Sequence, residues 1–346
     1  MKRFHSVRWG MIGAGSVTEL KSGPAFQKVE GSALTAVMRR SPGMAQDYAR
    51  RHGVPRYHES AEELINDPHV DAVYIATPPS SHLEFSLLVA AARKPAYVEK
   101  PMARSYVECQ RMNEAFQAAG MPLFVAYYRR RLPRFVAAKE ILDSGRLGRV
   151  TSVSFRFTQV RWEGPFSERP WRLYAEHSGG GFFLDLGCHT LDLFDFLFGP
   201  LREIHGMAAN VASPYDVEDS VAMHFRTEGG ALGTASWNFA GHMREDIIEI
   251  TGTNARLRMS TFGDEPLEIH AKGGVETVSR PNPLHVQQPL IQSIVDDLCG
   301  QGACPSTGES AARTSQVMDL LLDAYYGGRT DDFWARPESW PGSPRA

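Results

Sequence analysis

The chain has 346 residues, 42% of them hydrophobic, which suits about two domains with full cores and excludes a mini-protein or a disordered chain. Lys and Arg number 37 against 40 Asp and Glu, and the net charge of -3 disfavours nucleic acid as a partner. No apolar run is long enough to span a membrane, and no signal-peptide pattern is present. We therefore expect a cytoplasmic protein with no membrane partner. Its cysteines lack metal or redox spacing and are predicted to be reduced and buried: Cys109, Cys188, Cys299 and Cys304.

From residue 7 to about residue 128, short apolar runs alternate with helical patterns, which is typical of βαβ units and a parallel sheet. Strands are predicted over residues 7–12, 33–38, 72–76, 96–98 and 123–127. Helices are predicted over residues 43–51, 60–66, 81–93 and 106–119. This rhythm indicates a first domain with a parallel sheet, over residues 1–128.

After a helix predicted over residues 135–143, the pattern changes to period-two strands joined by hairpin turns. These strands are predicted over residues 150–159, 219–226, 231–239, 247–251 and 255–259. Two helices, over residues 285–299 and 309–326, close the chain and are expected to pack back on the first domain. The last fifteen residues, rich in proline and charge, are predicted to form a loose tail. The fold class is therefore α/β, with a C-terminal α+β domain over residues 129–346 built on an open, mostly antiparallel sheet.

A glycine pattern follows the first predicted strand and marks a candidate phosphate loop. Gly13 would make the tight turn, and Gly15 would let backbone amides, including those of Ser16 and Val17, approach a pyrophosphate. Thr18 stands where a third glycine is usual, and its side chain is expected to hold helix and strand slightly apart. The pattern predicts a dinucleotide site, with a bare turn as the structural alternative.

The end of the second predicted strand carries a signal for the cofactor. NAD-binding folds usually place an Asp or Glu there for the ribose 2′-hydroxyl. This chain has Arg39, Arg40 and Ser41 instead, and guanidinium groups suit the extra phosphate of NADP. We predict NADP as the cofactor, with NAD as the alternative. The structural alternative is a solvated helix start with surface arginines.

Two further motifs indicate chemistry. Lys100 follows the strand predicted over residues 96–98, at the sheet edge where open α/β folds bind ligands. Glycines 179–181 open a predicted helix on which Asp185, His189 and Asp192 share one face at i, i+4 and i+7. Polar groups on an apolar helix need partners, which favours a functional site over an N-terminal acid and a core histidine. We predict no metal, because no third ligand is evident.

In this order the motifs resemble the Gfo/Idh/MocA family, the glucose-fructose oxidoreductase and inositol dehydrogenase family. The resemblance runs from residue 7 to about residue 324. It rests on the glycine loop, the segment 77–82 (Thr-Pro-Pro-Ser-Ser-His), the segment 99–101 (Glu-Lys-Pro) and the run from Gly179 through Asp185 to His189. It implies an N-terminal Rossmann NAD(P)-binding domain over residues 1–128 and a C-terminal domain for substrate and oligomerisation. It also implies oxidation or reduction of a secondary alcohol or carbonyl on a sugar or cyclitol. It also implies a homodimer or homotetramer.

The resemblance also implies roles for individual residues. His189 would be the general acid/base, Lys100 would polarise the substrate oxygen, and Asp185 would orient the sugar through a neighbouring hydroxyl. Whether His189 or Lys100 takes the proton is left open by the motif. The cofactor contacts that the same motifs supply are Thr77 and Pro78 along the ribose and nicotinamide, His82 in the same segment, and Glu99 near the nicotinamide ribose.

Substrate contacts are predicted only loosely. Tyr128 begins a segment with three arginines, 129–131, which indicates a sheet-end cluster or an anionic-substrate contact more than a nucleic-acid patch. Trp162, Arg172 and His177 precede the glycines at 179–181, and they are candidates to line a sugar pocket through stacking and hydrogen bonds.

Two other functions compete with a sugar oxidoreductase. A non-catalytic dinucleotide sensor would need the glycine loop but not Lys100, Asp185 and His189. A glycoside-cleaving enzyme that uses a trapped NAD, as some relatives do, is disfavoured by the arginine pair 39–40 and by the absence of an export signal.

Overall fold

The computed structural model describes residues 4–344, apart from the side chains of Ser16, Val17 and Pro42. The chain forms two compact units. The first unit comprises residues 4–103, 107–132 and 283–312, and the second comprises residues 104–106, 133–282 and 313–344.

The first unit is built on a six-stranded parallel sheet in the order β3-β2-β1-β4-β5-β6, the strand order of a Rossmann fold. Its strands are β1 Val7–Ile12, β2 Ser32–Met38, β3 Arg56–His58, β4 Ala72–Ile75, β5 Ala96–Val98 and β6 Leu123–Val125. Its first helices are α1 Ser16–Leu20, α2 Gly23–Phe26, α3 Pro42–His52, α4 Ala61–Asn66, α5 His82–Ala91 and α6 Tyr106–Ala119. Strands β4, β5 and β6 are buried throughout, as expected for parallel strands covered on both faces.

The second unit is built on an eight-stranded sheet in the order β14-β13-β12-β11-β7-β10-β9-β8. Its strands are β7 Val150–Val160, β8 Arg202–Ala209, β9 Ser220–Arg226, β10 Leu232–Gly241, β11 Glu245–Gly252, β12 Ala255–Met259, β13 Leu267–Ala271 and β14 Gly274–Val278. All neighbours are antiparallel except β7 and β10, which are parallel. Its first helices are α7 Pro133–Asp143, α8 Ala175–Ser178 and α9 Cys188–Phe198.

The last two long helices are divided between the units. Helix α10, Gln288–Cys299, belongs to the first unit, where its apolar side chains pack in the core that contains Trp9, Phe26 and Tyr97. Helix α11, Gly308–Tyr326, begins in the first unit and continues in the second from Arg313.

The fold class is confirmed: a parallel Rossmann sheet precedes a mixed, mostly antiparallel sheet. The predicted loose tail is wrong for the described residues up to 344. Phe333 and Trp340 are buried, and the Trp340 indole Nε1–H donates to the Phe333 carbonyl at 2.8 Å. Two aromatic anchors therefore outweigh the proline-rich composition of this segment.

The four cysteines are free thiols, and three of them are buried. Cys299 is only half-buried, at the end of α10, so the prediction of burial is wrong for this residue. Between residues 4 and 344, no helix combines the length and the apolar character that crossing a membrane requires.

Candidate active site

The glycine loop after β1 brings the Gly13 backbone very close to Ala76 and Thr77, which follow β4. Gly13 has φ +89°, and a Cβ there would lie 2.7 Å from Thr77 Cγ2 and 3.0 Å from the Ala76 carbonyl carbon. Around Gly15, in contrast, the one described atom within 4 Å of a Cβ would be the Gly13 carbonyl oxygen, at 3.7 Å. The tight turn therefore requires glycine at position 13, while the open side of the loop at position 15 fits a pyrophosphate.

The third position of the glycine pattern is filled by a side chain that stabilises the loop. Thr18 is fully buried, and its Oγ1 donates to the Gly15 carbonyl at 2.8 Å. Its own carbonyl accepts from Tyr48 Oη at 2.9 Å. The hydroxyl thus gives the loop a hydrogen bond that a glycine lacks. Ser16 and Val17 begin α1, and their side chains lie outside the described part of the structure.

The backbone at Gly13 gives a direct test of the loop. We expect Gly13→Ala to destabilise the protein by about 1–3 kcal/mol, because alanine would be strained at this φ and would clash with Thr77. Nucleotide affinity should fall with it. The matched control is Gly43→Ala in α3, where a Cβ meets no described atom within 4 Å. Thermal unfolding of both variants measures the effect, and equal unfolding temperatures would contradict this account of the turn.

The two arginines predicted to select NADP directly follow β2. Arg39 is half-buried and Arg40 is exposed. Among residues 4–344, neither forms an ion pair with a carboxylate. Ser41 then caps α3 with an extended backbone and makes no side-chain capping bond. Two guanidinium groups and a helix start therefore remain available to a phosphate.

The loop after β4 is held by a buried histidine. His82 is fully buried, with Nε2 at 2.8 Å from the Thr77 carbonyl and Nδ1 at 3.1 Å from the Pro101 carbonyl. Ser81 Oγ donates to Thr77 Oγ1 at 2.7 Å, and Pro78 precedes the single 3₁₀ turn that follows. His82 therefore supports the loop of Thr77 and Pro78 from inside the first unit.

Glu99 and Lys100 follow β5, at the carboxyl edge of the parallel sheet. Glu99 is buried, and its Oε1 accepts from Tyr74 Oη at 2.5 Å and from Gln287 Nε2 at 2.6 Å. Its Oε2 accepts from the Lys100 backbone N–H at 3.2 Å. The Glu99 charge and burial raise the pKa of Tyr74 well above its usual value, burial being the larger cause. Sequence reasoning missed Tyr74 and Gln287, and no local signal marks Gln287, which lies 188 residues from Glu99.

The segment of Asp185 and His189 differs from the predicted continuous α-helix. Residues Phe183–Gly187 form a π-helical turn, and α9 begins only at Cys188. Asp185 therefore lies in the π turn, whereas His189 and Asp192 lie in α9. The prediction of one continuous α-helix is therefore wrong for residues 183–187. Turns of this kind are frequent at functional sites.

The side chains of this segment have different surroundings. His189 is 4% exposed and its ring lies edge-on to Phe262, with the centroids 5.9 Å apart. Asp192 is fully buried. Asp185 is partly exposed, and one of its oxygens lies 2.8 Å from Arg172 Nε. Arg172 thus joins Asp185 within the second unit.

The other predicted substrate contacts are scattered. Trp162 is half-buried with its ring 6.4 Å from Tyr215, and His177 is exposed beside Glu176. Tyr128 is half-buried in the first unit, where it begins a 3₁₀ helix. In the arginine segment, 129 and 130 are buried, as in a sheet-end cluster.

Within residues 4–344, no group of three or more His, Cys, Asp or Glu side chains is arranged to hold a metal ion. The candidate residues fall into two groups, one in each unit. The first holds the glycine loop, the arginine pair, Glu99 and Lys100, and the second holds Arg172, Asp185 and His189.

Comparisons with known proteins agree with this architecture. Residues 7–127 match the family described as "Oxidoreductase family, NAD-binding Rossmann fold", and residues 135–258 match the "GFO/IDH/MocA C-terminal domain". Oxidoreductase P35 of Formosa agariphila is 37% identical over 91% of this chain and 98% of its own length. Levoglucosan dehydrogenase of Pseudarthrobacter phenanthrenivorans is 29% identical over 66% of this chain and 65% of its own.

A solved oxidoreductase from Agrobacterium radiobacter, in complex with NAD+, L-tartaric acid and magnesium, is 25% identical. It covers 95% of this chain and 99% of its own with a TM-score of 0.81. The chain is an NAD(P)-binding oxidoreductase of the Gfo/Idh/MocA family.

Proposed function

We propose that this protein transfers hydride between NADP, in preference to NAD, and a secondary alcohol or carbonyl of a sugar, cyclitol or related polyol. The observation that carries the proposal is the short segment in which Asp185, in a π turn, precedes the buried His189. A partly exposed carboxylate suits sugar hydroxyls, and a shielded imidazole suits proton transfer. The relative named levoglucosan dehydrogenase supports a sugar as the substrate class.

The proposed chemistry divides between the residues of the two units. Nicotinamide, when bound, supplies hydride transfer to or from the substrate carbon. His189 takes the hydroxyl proton during oxidation and returns it during reduction, while Phe262 shields its ring from water. Lys100 polarises the same substrate oxygen. Asp185 orients a neighbouring hydroxyl, and the Arg172 ion pair fixes the direction of the Asp185 carboxylate.

The cofactor would be held by residues of the first unit. Backbone amides of the loop after Gly13 face the pyrophosphate, and the arginine pair takes the 2′-phosphate. The other residues proposed to contact the cofactor are Gly15, Ser16, Val17, Thr77, Pro78 and Glu99, with His82 supporting the loop. Residues 1–128 therefore serve the nucleotide, and residues 129–346 serve the substrate and oligomerisation.

The same proposal includes a homodimer or homotetramer. One face of the eight-stranded sheet is exposed along β8 and β10, where Met207 and Leu232 are 72% and 60% exposed. Large exposed apolar side chains on an open sheet favour self-association. Light scattering in solution measures the molar mass, and a monomer at micromolar concentration would contradict this part of the proposal.

Turnover with a panel of sugars, cyclitols and their keto forms tests the activity. The wild-type protein should oxidise or reduce members of the panel with NADP(H), followed by absorbance of the reduced nicotinamide. Binding of nucleotide without turnover of any compound would instead favour a sensor. A nucleotide that copurifies and is recycled during glycoside cleavage would favour the glycosidase alternative.

A further inference from the structure

The three glycines 179–181, here called the glycine run, lead into the π turn that carries Asp185. Gly179 has φ +88°, and a Cβ there would lie 2.5 Å from the Arg104 carbonyl oxygen. Its own carbonyl accepts from Arg329 Nη1 at 2.7 Å. The start of the run is therefore packed directly on backbone and fixed by one guanidinium group.

The end of the glycine run is fixed by a buried carboxylate. The Gly181 N–H donates to both oxygens of Glu218, at 2.9 and 3.0 Å. Tyr326 Oη donates to Glu218 Oε2, and both side chains are fully buried. A Cβ at Gly181 would clash with the Glu218 backbone oxygen. Two charged groups thus hold the backbone immediately before the π turn.

The guanidinium group of Arg329 donates hydrogen bonds to three partners. It is 1% exposed, and its Nε donates to Asp319 at 2.8 Å while Nη2 donates to the Arg104 carbonyl at 2.7 Å. Arg104 lies four residues after Lys100 in the chain. A single guanidinium group therefore ties the segment that follows Lys100 to the glycine run that precedes Asp185, within the second unit.

We propose that Arg329 and Glu218 are positioning residues, which hold the glycine run and thereby set the direction of the segment that carries Asp185 and His189. This inference rests on the proposed function, because it gives Arg329 and Glu218 a supporting role in the same hydride-transfer reaction. Neither residue touches substrate in this account. Both act through the backbone of the glycine run.

The buried charge at Glu218 supports positioning more than simple packing. Burial raises the pKa of Glu218 to about 7, whereas hydrogen bonds from Tyr326 and Gly181 lower it. An apolar side chain would fill this space without such a cost, but it could not bind an N–H. The titratable and charged groups that interact with Glu218 are Tyr326, Arg329, Tyr325 and Tyr215, and Asp219 acts on Tyr325 and Tyr215.

Glu218→Gln tests the proposal with little change of shape. The folded pKa of Glu218 lies above its unfolded value, so its ionisation costs stability progressively as pH rises through about 7. Glutamine removes this cost, and the variant should stay folded at pH 8. Its kcat should nevertheless fall about tenfold at that pH, with the KM for NADPH unchanged, because a neutral amide holds Gly181 less firmly.

Arg329→Lys keeps the positive charge but loses the planar guanidinium group and its several N–H donors. Lysine cannot reach the carbonyls of Arg104 and Gly179 and the Asp319 carboxylate together, so we expect a kcat loss of about tenfold or more. The matched control is Arg313→Lys. The guanidinium group of Arg313 forms a two-pronged pair with the buried Asp195 on α9, at 2.7 and 2.8 Å. The control should lose stability without losing kcat.

Hydrogen exchange over residues 181–189 provides a readout that does not depend on turnover. Exchange there should be about tenfold faster in the Glu218 and Arg329 variants and unchanged in the Arg313 control. The proposal would be overturned if the Glu218 and Arg329 variants both exchanged at the wild-type rate, or if they exchanged faster but kept the wild-type kcat. If the wild type turns over no compound of the panel, the proposed function fails, and unchanged exchange alone then overturns the positioning role. If Arg329→Lys does not fold, Glu218→Gln decides.

Discussion

Replacing His189 by asparagine is expected to lower kcat about 10²–10⁴-fold, the usual contribution of a positioned general acid or base. Asparagine keeps a polar side chain of similar width beside Phe262 but cannot accept the substrate proton. Binding of NADPH should remain near the wild-type value, because His189 belongs to the second unit and the glycine loop to the first. Steady-state rate assays at saturating cofactor give kcat, and fluorescence titration gives the NADPH affinity.

Lys100→Met is the companion variant and separates the two candidates for the proton. Methionine matches the length of the lysine stem and removes the ammonium group, so kcat should fall by about two orders of magnitude or more. The residue that carries the proton is the one whose loss also removes a limb from the pH profile of kcat. The other variant should lower kcat at all pH values alike.

Matched surface variants control for general effects of substitution. His205→Asn lies on the exposed β8, and Lys139→Met lies on α7, where Lys139 pairs with Asp143 at the surface. Both should keep kcat, because neither side chain belongs to the site and surface ion pairs contribute little. Retention of kcat within about twofold in both His189→Asn and Lys100→Met would refute the catalytic assignment altogether.

Much of the fold follows from local patterns, because each buried parallel strand is a short apolar run between helix signals. Strands β1, β5 and β12 and helix α6 have the predicted bounds. Of the four strands that the sequence patterns did not predict, β3 has three residues and β8 and β14 are largely exposed, so these three lack a clear apolar alternation, whereas β13 does alternate, with Leu267 and Ile269 buried.

The site is less predictable than the fold, because the hydrogen bonds that hold its residues in place join positions far apart in the sequence. Gln287 bonds Glu99 across 188 positions, and Arg329 bonds the Gly179 carbonyl across 150. The proline and charge content of the last fifteen residues predicted a loose tail shortly after Arg329. The buried side chains of Phe333 and Trp340 instead anchor this segment. Motifs therefore identify side chains that carry chemistry, while the groups that hold them emerge only from tertiary structure.

Replacing Arg39 and Arg40 together by glutamine is expected to reverse the cofactor preference. A hydrogen bond from a charged donor contributes about 1.5–3 kcal/mol, so each arginine that binds the 2′-phosphate is worth about 10–100-fold in NADPH affinity. Affinity for NADH should change little, because it lacks that phosphate. Arg39 is half-buried and better fixed than the exposed Arg40, so its single replacement should cost more.

Arg50→Gln is the matched control, because Arg50 is exposed on the following helix α3 and pairs with Asp47. It removes the same charge without removing a group from the end of β2, so NADPH affinity should stay within about twofold. Salt provides a second readout: added salt should weaken NADPH binding in the wild type more than in the double variant. Equal losses of NADH and NADPH affinity in the double variant, or tighter NADH than NADPH binding in the wild type, would refute the NADP preference while leaving the family assignment intact.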